Sequence, residues 1–313
     1  MTFPPDADPT DAELATPGPQ RSAAYDRAWE FATFVAQTRG VDRLRALYVA
    51  ACGPGHPDAA TAAARFANEE EAFVYSRFSN PTVMMMERRL AALEGTEACI
   101  GTSSGMSAIM LLVMGLLKAG DHVVCSRSVF GSTIKLLQGE FGKFGVQVSF
   151  VSQTDLSEWK AALQPNTRLL FAETPTNPLT EICDVAALAE IAHGHGALLA
   201  VDNCFASPAL QQPAQLGADF IIHSGTKYLD GQGRVIAGAI CASTHYIDNV
   251  FTPVMRSVGM SLSPFNAWVV LKGMETLGVR MKAQTASAAL LFLSAGVVTA
   301  AVKRLIVVFS GLF

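Results

Sequence analysis

From about Glu69 onward, short apolar runs alternate with stretches whose apolar positions recur at helical spacing. The runs that read as strands are Ala98 to Gly101, His122 to Cys125, Gln147 to Val151, Arg168 to Phe171, Ala197 to Val201, Phe220 to Ile222 and Val235 to Cys241. Strands alternating with helices in this way predict an α/β domain around a mostly parallel sheet. Between two of the runs, Asp184 is placed to cap a helix with Val185, Leu188, Ala189 and Ala192 on one face, and Gly194 and Gly196 close it. In such sheets ligands collect at the carboxyl ends of the strands, so the residues just after these runs are the first to read for function.

The composition is that of a globular chain with a large core: 313 residues, 50% hydrophobic and only 16% charged. A net charge of -4 gives no reason to expect nucleic acid or an anionic membrane surface as a partner. Cysteines 52, 99, 125, 183, 204 and 241 lie far apart, with no histidines at ligand spacing, so a cytoplasmic, reduced protein without a metal site is expected. The first residues, rich in Pro and Asp through Pro19, lack the basic and apolar segments of a signal peptide and read as a disordered leader.

Lys227 lies in His223-Ser-Gly-Thr-Lys-Tyr-Leu-Asp-Gly-Gln-Gly-Arg234, directly after an apolar strand. A lysine among small hydroxyl residues at a buried strand end fits an amine that forms a Schiff base with an aldehyde cofactor better than it fits a solvated charge. Asp202 follows the preceding strand, a separation one crossover connection spans, so both side chains can reach one crevice. A carboxylate there suits a pyridinium nitrogen, although an Asp-Asn pair also caps turns. Thr102-Ser-Ser-Gly-Met-Ser107 leads into the helical stretch Ala108 to Lys118 and offers backbone N–H groups to a phosphate, or serves only as an N-cap. Ser224 and Thr226 add hydroxyl groups beside the lysine. Phe130, after the strand ending at Cys125, either stacks on a flat ring or fills the core.

With these residues in view, the chain resembles the Cys/Met-metabolism enzymes dependent on pyridoxal 5'-phosphate, which include cystathionine synthases and lyases, methionine γ-lyase and homoserine-ester sulfhydrylases. The resemblance rests on Val74-Tyr-Ser-Arg77 with Asn80-Pro-Thr82, Ser104-Gly-Met-Ser107, Glu173-Thr-Pro-Thr-Asn-Pro178, Val201-Asp-Asn203, Ser224-Gly-Thr-Lys-Tyr228 and Leu262-Ser-Pro-Phe265. Asp230-Gly-Gln-Gly-Arg234, Ser126 to Gly131 and Ala209-Leu-Gln-Gln-Pro213 are similar to the O-succinylhomoserine sulfhydrylase branch.

The resemblance implies a fold type I (aspartate aminotransferase-like) large domain with a seven-stranded sheet over 59–286, preceded by a leader and arm over 1–58 and followed by an atypical apolar tail over 287–313. It implies that Lys227 holds the cofactor and shuttles protons, and that Asp202 pairs with the ring nitrogen. Gly105, Met106, Ser224 and Thr226 would bind the phosphate, joined by Tyr75 and Arg77 from a neighbouring subunit of a homotetramer, a dimer of dimers. Asn177 would lie near the ring hydroxyl and the substrate carboxylate. The implied reaction is γ-replacement on O-succinylhomoserine or O-acetylhomoserine with sulfide, giving homocysteine for methionine biosynthesis. A cystathionine or methionine lyase or synthase is the alternative in the same cofactor class.

Three departures accompany the resemblance. Phe130 stands where many relatives carry tyrosine, so it can stack but cannot exchange a proton. The segment from about Leu44 to Pro57 lacks the hydroxyl-rich stretch of relatives. Relatives continue into a smaller C-terminal domain with an arginine for the substrate carboxylate, where this chain has an apolar tail; a catalytically silent homologue is therefore a further alternative. The uncharged run 283–302 has the length of a bilayer span, but its small residues dilute the hydrophobicity and no membrane partner is expected.

Overall fold

A computed structural model of the chain describes residues 73 and 75–294. The leader and arm 1–58, the segment 44–57 and the tail beyond 294 lie outside the described residues. Seven strands form one sheet: β1 Ala98–Thr102, β2 His122–Ser126, β3 Gln147–Val151, β4 Thr167–Glu173, β5 Leu198–Asp202, β6 Phe220–Ser224 and β7 Gly238–Ala242, in the order β1-β7-β6-β5-β4-β2-β3. Pairing is parallel from β3 through β2, β4 and β5 to β6, and β7 runs antiparallel to both β6 and β1. Only β7 is reversed, so the carboxyl ends of the other six strands share one edge.

Side chains alternate across the sheet and build cores on both faces. On one face Val123, Leu169, Phe171, Ala200, Phe220, Ile222 and Ile240 pack with Ile109 and Leu112. The latter two belong to α2, Gly105–Leu116, while α1, Pro81–Glu94, lies on the opposite face with Ile221, Ala239 and Cys241. The remaining part of that face pairs Val124, Leu170, Leu199 and Val201 with α3, Val185–Gly194. Asp184 caps α3 by accepting from the Ala187 N–H at 3.0 Å, and Val185, Leu188, Ala189 and Ala192 are its buried positions, as the sequence pattern predicts.

Two boundaries differ by three residues from the sequence reading, and those of the other strands by at most two. The last strand starts at Gly238 rather than Val235, because Arg234 to Ala237 bond elsewhere: the Arg234 N–H donates to Asp230 Oδ2 at 2.7 Å and the Ala237 N–H to Thr226 Oγ1 at 3.1 Å. Helix α2 begins at Gly105, three residues before Ala108, because Ser104 caps it by accepting from the Ser107 N–H at 3.1 Å. The last described helix, Leu277–Ser294, continues across position 286. Among the described residues no helix is long and apolar enough to cross a membrane.

Candidate active site

The shared edge brings five segments together: Ser103 to Ser107 after β1, Ser126 to Phe130 from the end of β2, Glu173 to Asn177 from the end of β4, Asp202 to Cys204 from the end of β5 and Ser224 to Lys227 from the end of β6. Lys227 sits in a tight turn in which its N–H donates to Ser224 O at 3.2 Å and its carbonyl accepts from the Gly231 N–H at 2.7 Å. The residue is half-buried, and among the described residues its ammonium has no hydrogen-bond or ion-pair partner. An amine held on a rigid turn but left unpaired is suited to react with a carbonyl carbon.

Gly105 and Ser224 touch. A Cβ at Gly105 would lie 2.8 Å from Ser224 Cβ, so the turn can approach β6 only with glycine there. Gly105 and Met106 are the first residues of a helix of 12 residues, so their N–H groups have no intrahelical acceptor. Ser224 stands half-buried against this start, whereas the Thr226 hydroxyl is engaged with Ala237, accepting from its N–H at 3.1 Å. A dianion placed at these N–H groups gains from the helix dipole as well as from hydrogen bonds.

Asp202 is the last residue of β5, not the first after it, and its Oδ1 accepts from the Cys204 N–H at 3.0 Å. Burial of the carboxyl raises its pKa to about 6, against the pull of the Cys204 N–H and of His223. Its register partner on β4 is Glu173, only 3% exposed. Burial and, after it, the charge of Asp202 push Glu173 up to about 8. Glu173 accepts from the Phe130 N–H at 2.6 Å and the Asn177 N–H at 3.1 Å. Phe130 is 46% exposed and so is not a core residue; its ring projects from the N-cap of the short helix Gly131–Lys135.

Tyr75 and Arg77 are held elsewhere within the chain. The Arg77 guanidinium lies 5.0 Å and 4.8 Å from the rings of Tyr75 and Phe78, donates to Arg256 O, and lines a cavity of about 480 Å³ that Lys227 does not line. The motif residue Glu173 had no role in the sequence reading; its signals were its place just after an apolar strand run and at the head of the motif Glu173 to Pro178. A second buried group escaped it as well. His223 Nε2 meets Glu94 Oε1 at 2.5 Å, Asn203 Nδ2 donates to the same oxygen at 2.8 Å, and all three residues are fully buried behind Asp202 and Ser224.

An unpaired lysine, a strand-end carboxylate with an oxygen to spare and a glycine cradle at a helix start fit a phosphorylated pyridine aldehyde, and with this sheet they define a fold type I enzyme dependent on pyridoxal 5'-phosphate. The chain belongs to the Cys/Met metabolism PLP-dependent enzymes, whose family model matches residues 56–298. It is 58% identical over 230 residues to an O-succinylhomoserine sulfhydrylase of Pseudomonas aeruginosa, covering 74% of this chain and 57% of that one. An L-methionine gamma-lyase of Treponema denticola is 43% identical over 227 residues, 72% of this chain and 57% of that one. The crystal structure of a cystathionine gamma-lyase from Lactobacillus plantarum complexed with L-serine superposes with a TM-score of 0.70 at 36% identity, covering 72% of this chain and 59% of that one. The chain thus spans less than two thirds of the length of these relatives.

Proposed function

We propose that this protein catalyses γ-replacement on a homoserine ester, O-succinylhomoserine or O-acetylhomoserine, with sulfide as the incoming nucleophile and homocysteine as the product. The observation that carries the reading is the meeting of Lys227, Asp202 and the Gly105–Ser224 contact at one sheet edge. The sulfhydrylase branch is supported by the similarity to the Pseudomonas aeruginosa enzyme, which exceeds that to the lyase from Treponema denticola.

Bound pyridoxal 5'-phosphate supplies an electron sink for the carbanion at the substrate Cα. In this reading Lys227 would hold the cofactor through its Nζ and would move protons between Cα and the neighbouring carbons of the substrate as general base and acid. Asp202 keeps the pyridine nitrogen protonated, a charge-assisted bond worth about 1.5 to 3 kcal/mol. The N–H groups of Gly105 and Met106, with the hydroxyl groups of Ser224 and Thr226, hold the phosphate. Phe130 stacks on the ring, and Asn177 orients the ring hydroxyl and the substrate carboxylate.

Tyr75 and Arg77 reach this site as residues of the partner subunit in a homotetramer, a dimer of dimers, a reading supported by Arg77 lining, in its own chain, a cavity that Lys227 does not line. The large domain covers 59–286, and the protein works in the cytoplasm, where the buried free thiols Cys99, Cys125, Cys183, Cys204 and Cys241 stay reduced. The test is product analysis of the cofactor-loaded protein with O-succinylhomoserine. Homocysteine formed only with sulfide supports the reading; keto acid and ammonia without sulfide indicate a lyase, and no turnover indicates a silent homologue.

A further inference from the structure

Glu173 has both carboxylate oxygens committed to backbone N–H groups of two different loops. Oε2 takes the N–H of Phe130, on the loop after β2, and Oε1 takes the N–H of Asn177, on the loop after its own strand. The residue is itself anchored, since its carbonyl accepts from Gln153 Nε2 at 2.8 Å after β3. A second fastening lies outside it: Ser128 Oγ donates to Glu181 Oε2 at 2.6 Å, and the Glu181 backbone is tied to Thr176 by the Thr176 N–H at 3.0 Å. The two loops are therefore joined twice, once by a buried carboxylate and once nearer solvent. Neither loop has regular structure between Ser126 and Phe130 or between Thr174 and Asp184, so side-chain fastenings decide where their tips stand.

We propose that Glu173 is a positioning residue: its one carboxylate clamps the Phe130 loop to the Asn177 loop and fixes the spacing between the two side chains that grip the cofactor ring. The clamp rests on the cofactor reading above for its purpose, but not for its existence. Glutamate is suited to this role because, once ionised above about pH 8, both of its oxygens accept. In Glu173→Gln one end of the side chain becomes an NH₂ donor facing an N–H, so at least one loop is released.

Hydrogen exchange in the cofactor-free protein, resolved to single amides by mass spectrometry, tests the clamp. Above about pH 8, where the Glu173 carboxyl is ionised, the Phe130 or the Asn177 amide of E173Q should exchange at least about tenfold faster than in wild type, the size of effect that loss of a hydrogen bond to a charged group produces. Both amides at wild-type rates would overturn the proposal. In the cofactor-loaded protein, E173Q should bind pyridoxal phosphate more weakly and lose at least about half of the visible ellipticity that an oriented ring displays. Unchanged affinity and ellipticity would overturn the positioning role even if exchange quickened. A merely structural role would lower the thermal midpoint without altering that ellipticity.

Should E173Q not fold, Ser128→Ala carries the test. It removes the outer fastening alone, so the Phe130 amide should remain protected by Glu173; exchange at Phe130 as fast as in an open loop would contradict the clamp. Wild-type protein that develops no visible band with the cofactor would sink the functional reading, while the exchange measurements still decide the clamp.

Discussion

Glu173 and Asp202 stand on the same rung of β4 and β5, so two buried carboxyl groups end neighbouring parallel strands side by side. Burial pushes both above the ordinary carboxylate range, Asp202 to about 6 and Glu173, which also feels the charge of Asp202, to about 8. The linkage sign follows. Folded protein holds these protons more tightly than unfolded chain does, so their stabilising effect is full below about pH 4 and is lost as pH rises through about 6 and then about 8. The thermal midpoint of cofactor-free protein should therefore fall between pH 5.5 and 8.5, by roughly a few degrees. Glu173→Gln should flatten the upper part of that fall, and a midpoint with the same pH profile in both proteins would contradict the coupling.

Gly105→Ala probes the phosphate cradle. The added methyl would meet Ser224 Cβ at 2.8 Å and Ser224 Cα at 3.1 Å, so the turn must move off β6. Overpacking of this kind costs about 1 to 3 kcal/mol, and here it displaces the helix start as well. Titration of cofactor-free protein with pyridoxal phosphate should give at least about tenfold weaker binding, while inert burial of the added methyl would leave the affinity as in wild type.

His223→Ala removes one member of a fully buried trio and leaves the Glu94 carboxylate with Asn203 as its remaining partner. Removing one partner so that a buried polar group loses its hydrogen bond costs about 1 to 3 kcal/mol. Urea unfolding should register this as a lower midpoint with an unchanged slope. A midpoint as in wild type would contradict a stabilising role for the trio.

Much of this arrangement was legible in the sequence. The strand runs Val123 to Cys125, Leu169 to Phe171 and Leu199 to Val201 are apolar because both sheet faces are covered, and the residues that follow them fall on one edge by parallel pairing. The cap at Asp184 was readable because its signal is local. The start of β7 was not, because Val235 to Ala237 look like strand, while Arg234 before them is held by Asp230 and Ala237 by Thr226. Glu173 and the Glu94–His223 pair were hidden for a related reason: their partners lie 43 and 129 positions away, where no periodicity points. Phe130 left two readings open, and only its exposure decides between core and crevice.

The central claim is that Lys227 is the residue that holds the cofactor. Incubation of the protein with pyridoxal phosphate, reduction with borohydride and peptide mass spectrometry test it at the level of the residue. The expected result is a single phosphopyridoxyl group on the peptide containing Lys227, absent together with the visible absorption band in Lys227→Ala. A label on another lysine, or a visible band that survives the substitution, would contradict it.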